Sequence, residues 1–260
     1  SRVLHLAGGD ASLEVGRRLA EEMGRRWRCL PLADAGLALR GANGAAAGVF
    51  DADILIVDSV SDWRGLPTDA LRGHLENGGR LLLAELEPCS LDWLVPGLGV
   101  AADPLHALFR PDENHPIFGG RAGTRLTSDD FRLWNYVPVR RALLPQPAHP
   151  YAGHRTRDLV DCPIRFRGRE FDRVAHISGD DRIRLFSVAD ADRRASALLE
   201  IRWGEGCVLI SQARLFGRCG GSTHHPLARI LFHRMVDYLA TVRRNQGGGE
   251  TGKFDVIQRF

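Results

Sequence analysis

Glu85 and Glu87 close the apolar run Arg80–Leu86, RLLLAEL. Two carboxyl groups are what glycoside hydrolysis uses, one as acid and one as base or nucleophile, and their spacing sets the stereochemical outcome. Residues i and i+2 share one side of an extended strand. Side chains that close do not straddle a sugar ring, so these acids read more simply as solvated strand-end groups or partners for arginine. Gly8-Gly9-Asp10 and Asp58-Ser59 follow two other apolar runs. In an open parallel sheet, ligands bind beyond the carboxyl ends of the strands, where the strand order reverses. Gly8, Gly9, Asp10, Asp58, Ser59, Glu85 and Glu87 are therefore the candidate crevice. The GGD turn is not GxGxxG and does not indicate a dinucleotide.

Phe131, Trp134 and Tyr136 form the second candidate group, for contact with a sugar or a partner. Their flat apolar faces serve equally to anchor an irregular segment in a core. The histidines at 106, 115, 149, 154, 176, 224, 225 and 233 form no HExxH motif. His225 and His233 stand eight apart, about two helical turns and too far for one ion. Cys29, Cys89, Cys162, Cys207 and Cys219 include no CxxC pair, which argues against a zinc ribbon or a redox dithiol. No metal and no cofactor is expected.

The elements that position these residues alternate. Arg2–Ala7 reads as a short buried strand, Ala11–Arg26 as a helix with Ser12 as its cap, and Trp27–Leu32 as a second strand. Asp53–Ser59, DILIVDS, is a continuous apolar run of the kind buried on both faces of a parallel sheet. A helix over Thr68–Glu76 stops at Asn77-Gly78-Gly79, and Arg80–Leu86 is the next strand. Alternation of this kind predicts right-handed βαβ crossovers. Cys89–Tyr151 has no clear period, and about 88–160 reads as an irregular insertion. Short β pieces return over Leu159–Ser187. Two apolar runs around Gly204-Glu205-Gly206 predict a hairpin with a three-residue turn. From Pro226, apolar residues at steps of three and four predict a closing helix.

The chain has 260 residues, 44% hydrophobic and 26% charged, as in ordinary globular domains. Its formal charge of +3 is too small to argue for nucleic acid. Lys253 is the single lysine, and the other 34 basic residues are arginines. They are scattered and balanced by acids, which suits coding bias better than a phosphate site. No apolar run approaches the roughly 20 residues that span a bilayer. Residues 246–260 begin Gly-rich and read as a tail or linker.

Several phrases in order, DADILIVDS, ENGGRLLLAE, NHPIFGG, SDDFRLWN, ALLEIRWGEGCVLISQ and PLARILFHRMVDYL, resemble the glutamine-amidotransferase-like domain attached to family 2 and family 42 β-galactosidase-like glycoside hydrolases. They cover most of residues 50–240. The resemblance implies a class I amidotransferase fold that has usually lost its chemistry and packs against or joins catalytic parts. The ancestral reaction uses a cysteine on a sharp Gly-x-Cys-x-Gly elbow over backbone N–H donors. Here no glycine flanks Cys89, and Pro88 lacks an N–H. The ancestral His-x-Glu after the late strand is also missing, since Ser211–Leu215 holds neither residue; His224-His225-Pro226 comes later, beyond a Gly-rich loop.

The expectation is therefore an α/β, flavodoxin-like, mostly parallel sheet over 1–245, with helices on both faces and a C-terminal hairpin plus helix. Its expected role is that of a non-catalytic accessory module. Its expected partners are other domains or subunits of a glycoside hydrolase, or a second copy of itself, with carbohydrate as a further candidate and neither nucleic acid nor membrane. The alternative is a free-standing hydrolase of this fold with a displaced nucleophile at Cys89, Ser59 or Glu85.

Overall fold

The computed structural model describes residues 1–24, 26–35, 50–63, 66–102, 116–118, 136–138, 154–156, 164–166, 183–188, 195–203, 205–213, 215–216 and 226–241. β1 (Arg2–Ala7), β2 (Arg26–Pro31), β3 (Ile54–Asp58) and β4 (Arg80–Ala84) are the strands of the first half. β5 (Cys89–Ser90), β6 (Leu98–Val100), β7 (Tyr136–Pro138), β8 (His154–Thr156) and β9 (Ile164–Phe166) are short. β10 (Ile183–Val188), β11 (Ala195–Trp203) and β12 (Gly206–Ser211) precede the closing helix. The helices are α1 (Asp10–Met23), α2 (Thr68–Glu76) and α3 (Pro226–Thr241).

One ten-stranded sheet runs β2-β1-β3-β4-β12-β11-β9-β6-β5, with β10 also on β11, and β7 and β8 form a separate pair. From β2 to β12 every pairing is parallel; from β12 onward every pairing is antiparallel. This is the expected flavodoxin-like α/β architecture. β3 is buried along its whole length and Leu81–Ala84 of β4 are fully buried, which explains their unbroken apolar sequences. The hairpin turn holds two residues rather than three, because Trp203 pairs directly with Gly206.

The sheet has a core on each face. Val15 and Leu19 of α1 and Ala228, Leu231, Phe232, Met235, Val236 and Leu239 of α3 pack over one. Leu71 and Leu75 of α2 pack over the other. Each fully buried leucine contributes about 1.5–3 kcal/mol over its exposed state. The Ile117-Phe118 pair of the HPIFGG phrase sits in the α3 core, and Arg234 of α3 donates to both of its carbonyls, at 3.4 and 3.2 Å. α1 ends where Gly24 turns left-handed, with φ 58°. It is tied to α3 by Arg229, which reaches both oxygens of Glu22 at 2.7 Å.

A buried polar knot joins the hairpin to α3. Glu200 of β11 is fully buried and receives Arg202 Nε at 2.7 Å. Tyr238 donates its hydroxyl to the same carboxylate, 3.0 Å from the nearer oxygen, and accepts from Arg202 Nη2 at 3.0 Å. Burial first, then the Glu200 charge, pushes the Tyr238 phenol and the neighbouring Cys207 thiol far above their usual range, so Cys207 is an inert core residue. Tyr238→Phe removes a donor to a buried carboxylate. It is expected to cost about 2 kcal/mol, read as a fall of about 4–8 °C in Tm.

Candidate functional site

The carboxyl ends of β1, β3, β4 and β12 lie along one end of the sheet, and the strand order reverses between β1 and β3. Asp58, the last residue of β3, stands at this end of the sheet and is wholly buried. One carboxylate oxygen accepts from His5 Nε2 and from the Ser12 hydroxyl, each at 2.5 Å. The other accepts from the Gly8 amide at 2.9 Å. Ser12 thus serves Asp58 and not the helix end: α1 is capped by Gly9 with no side-chain bond, which corrects the expected Ser12 cap. Burial works to raise the Asp58 pKa. The His5 hydrogen bond and charge, with the Ser12 and Gly8 donors, outweigh it and hold the group below the usual aspartate value.

His5 lies in the middle of β1 with no exposed surface. Its bond to a carboxylate places a proton on Nε2; Nδ1 has no hydrogen-bond partner and faces α1 at Gly16, where a Cβ would lie only 2.2 Å away. The ring stacks on Phe216, with centroids 5.0 Å apart and planes 18° from parallel. Three polar residues gather here, but in the order serine, aspartate, histidine. A catalytic triad needs the imidazole between the other two, to take the hydroxyl proton. Here the hydroxyl meets a carboxylate of depressed basicity, and the arrangement is a structural clasp between β1, β3 and α1.

Ser59 and Glu85 follow β3 and β4 at neighbouring positions, since Asp58 and Ala84 are register partners. Both adopt left-handed backbone, with φ of 53° and 50°, a conformation costing a non-glycine residue about 1–2 kcal/mol. Gly8 packs directly on Ser59: a Cβ there would be 2.6 Å from that of Ser59. Gly9 and Asp10 are exposed at the start of α1. Glu85 and Glu87 are not paired along a strand, because β4 ends at Ala84 and the chain turns at Glu85. That corrects the expectation that the two acids share one strand side. Glu85 turns inward and accepts from the Phe216 amide; Glu87 is exposed, and its amide bonds to the Val60 carbonyl at 3.0 Å.

The sharp turn after β4 is thus at Glu85 and not at Cys89. In a nucleophile elbow the residue after the turn offers its backbone N–H to the oxyanion. That residue is Leu86, and its N–H is taken by Gln212 Oε1 at 2.8 Å. Cys89 lies four residues on, in β5, half-buried and paired with Val100. The imidazoles described stand elsewhere: His5 on Asp58, His74 over Gly79 at the opposite end of the sheet, and His233 on α3 beside Glu22, at 3.6 Å. Among the described residues, no three His, Cys, Asp or Glu side chains converge on a metal position, and no helix is long and apolar enough to cross a membrane.

Phe131, Trp134, His225 and residues 242–260 lie outside the described residues; Tyr136 opens β7, and its side chain lies outside them too. Sequence reasoning missed His5, Gln212 and Phe216. A histidine inside the apolar strand RVLHLA was a usable signal, because a buried polar group needs a partner.

No protein-family model matches the chain, and no curated protein matches it by sequence. Solved structures of similar course include a GMP synthase-like protein from Thermoplasma acidophilum, at 12% identity and TM-score 0.45 over 92% of this chain and 94% of that one. A ThuA-like protein from Bacteroides uniformis aligns at 11% identity and TM-score 0.48, over 92% and 90%. A cold-adapted β-galactosidase from Rahnella sp. R3 aligns at 12% identity and TM-score 0.47; the alignment covers 94% of this chain but 32% of that enzyme.

Proposed function

We propose that this chain is a catalytically silent, amidotransferase-like module that packs against, or joins subunits of, a carbohydrate-active hydrolase of the β-galactosidase type. One observation carries the silence. The turn after β4, where a working thiolate would sit, holds Glu85 bonded to the Phe216 amide, and the following N–H is spent on Gln212. The link to glycoside hydrolases is supported by the ordered sequence phrases. Ile230, 42% exposed, is the one exposed large hydrophobic among the described residues. A docking face built from those residues is therefore largely polar, and an apolar one falls to the Cys89–Tyr151 segment, most of which lies beyond them.

A displaced nucleophile is the competing reading. It needs a base within hydrogen-bond reach of Cys89, Ser59 or Glu85, and none of the described imidazoles is bonded to them. The deciding assay is ammonia release from glutamine by the wild type and by Cys89→Ala. Both are expected at the uncatalysed background. A wild-type rate that falls about a thousandfold in Cys89→Ala reverses the reading. Light scattering at rising concentration tests self-association, and a strict monomer leaves only a different domain as partner.

A further inference from the structure

Gln212 is the least expected residue at this end of the sheet. It follows β12, is 4% exposed, and makes two contacts with a single residue: Leu86 N–H donates to Oε1 at 2.8 Å, and Nε2 donates to the Leu86 carbonyl at 3.4 Å. The β4–β12 ladder continues one rung past the end of β4, from the Glu85 amide to the carbonyl of Ser211, the last residue of β12, at 2.9 Å. The next rung is made by a side chain. Leu86 is itself buried, so its N–H and carbonyl both require partners. A side-chain carboxamide has one acceptor and two donors, and it satisfies the pair as a detached peptide group would. The donor it occupies is the one that would face the reacting carbonyl if the elbow were a working one.

We propose that the backbone notch at Leu86 is a primary-carboxamide site that Gln212 fills from within the chain, so that glutamine offered from solution finds it occupied. The inference rests on the amidotransferase-like reading above and adds what the Leu86 notch recognises. The chemistry selects a small, uncharged R–CONH2 group. A carboxylate would set a second acceptor against the Leu86 carbonyl, and a tertiary amide has no N–H to give it.

Gln212→Ala deletes the carboxamide and leaves room for acetamide. Thermal unfolding of this variant is expected to respond to acetamide with a saturable rise in Tm of about 3–5 °C at ten times the dissociation constant. Wild type measured in parallel, and the variant with N,N-dimethylacetamide, should show no such rise. In the same titration the Leu86 amide resonance of the variant should shift and saturate, while that of the wild type stays fixed. Should Gln212→Ala fail to fold alone, its refolding yield with and without acetamide, beside Gln212→Ser, is the same test. Equal responses of variant and wild type, or no discrimination between the two amides, overturn the proposal. Glutamine hydrolysis by wild type would overturn the silent-module reading instead, so the two failures are distinct.

Discussion

Asp58→Ala is expected to destabilise the fold by about 3–5 kcal/mol, the loss typical when one partner of a buried charged cluster is removed. Two buried donors, His5 Nε2 and the Ser12 hydroxyl, lose their acceptor together with the amide of the exposed Gly8. Each orphaned buried donor costs about 1–3 kcal/mol of desolvation. A fall in Tm of about 10 °C or more should follow, and a loss below about 1 kcal/mol would show that the cluster is not a clasp. Asp58→Asn keeps one acceptor oxygen and should lose less. Because folding depresses the Asp58 pKa, its contribution is present in full above the unfolded aspartate value, near 3.9. It is lost as pH falls below that and through the lower folded-state pKa. Stability measured against pH should therefore show the wild type and Asp58→Ala converging in that acid range, while they stay far apart at neutral pH.

Gly206→Ala should be nearly as damaging, for a purely steric reason. Gly206 begins β12 beneath the carboxyl end of α2. A Cβ there would stand 2.4 Å from the Leu75 carbonyl oxygen and 2.5 Å from that of Gly79. Both obstacles are backbone, so no rotamer change relieves them. The hairpin must move away from α2, at a cost of about 3 kcal/mol, the upper range for overpacking. Urea unfolding should show a lower midpoint with an unchanged slope. A midpoint equal to that of the wild type would mean that the turn and α2 are free to separate.

Much of the fold was legible because its strands announce themselves. DILIVDS and RLLLAEL have no polar face, and only a sheet covered on both sides buries such runs whole. The Pro226 helix was legible from its spacing. Detail at the ends was less so. The sequence RLLLAEL looks extended through Leu86, yet the backbone reverses hand at Glu85, because the Glu85 amide must reach Ser211 while its carboxylate reaches Phe216. Ser12 looked like a cap because serine commonly caps helices; a carboxylate 46 positions away claimed it. Gln212 gave no local signal at all, since its partner lies 126 residues earlier in the chain. Contacts of that range are set by tertiary packing, which periodicity does not encode.

The placement of β12 has a consequence for synthesis. β4 pairs with β3 on one side and with β12 on the other, and β12 ends at Ser211. While the ribosome makes the chain between Ala84 and Gly206, an apolar strand stands with one edge unsatisfied, a template for misplaced pairing with another nascent chain. The long wait ends only when the last hairpin emerges, so the domain closes late and as a whole, and a polypeptide interrupted before Gly206 is left without the strand that seals its centre.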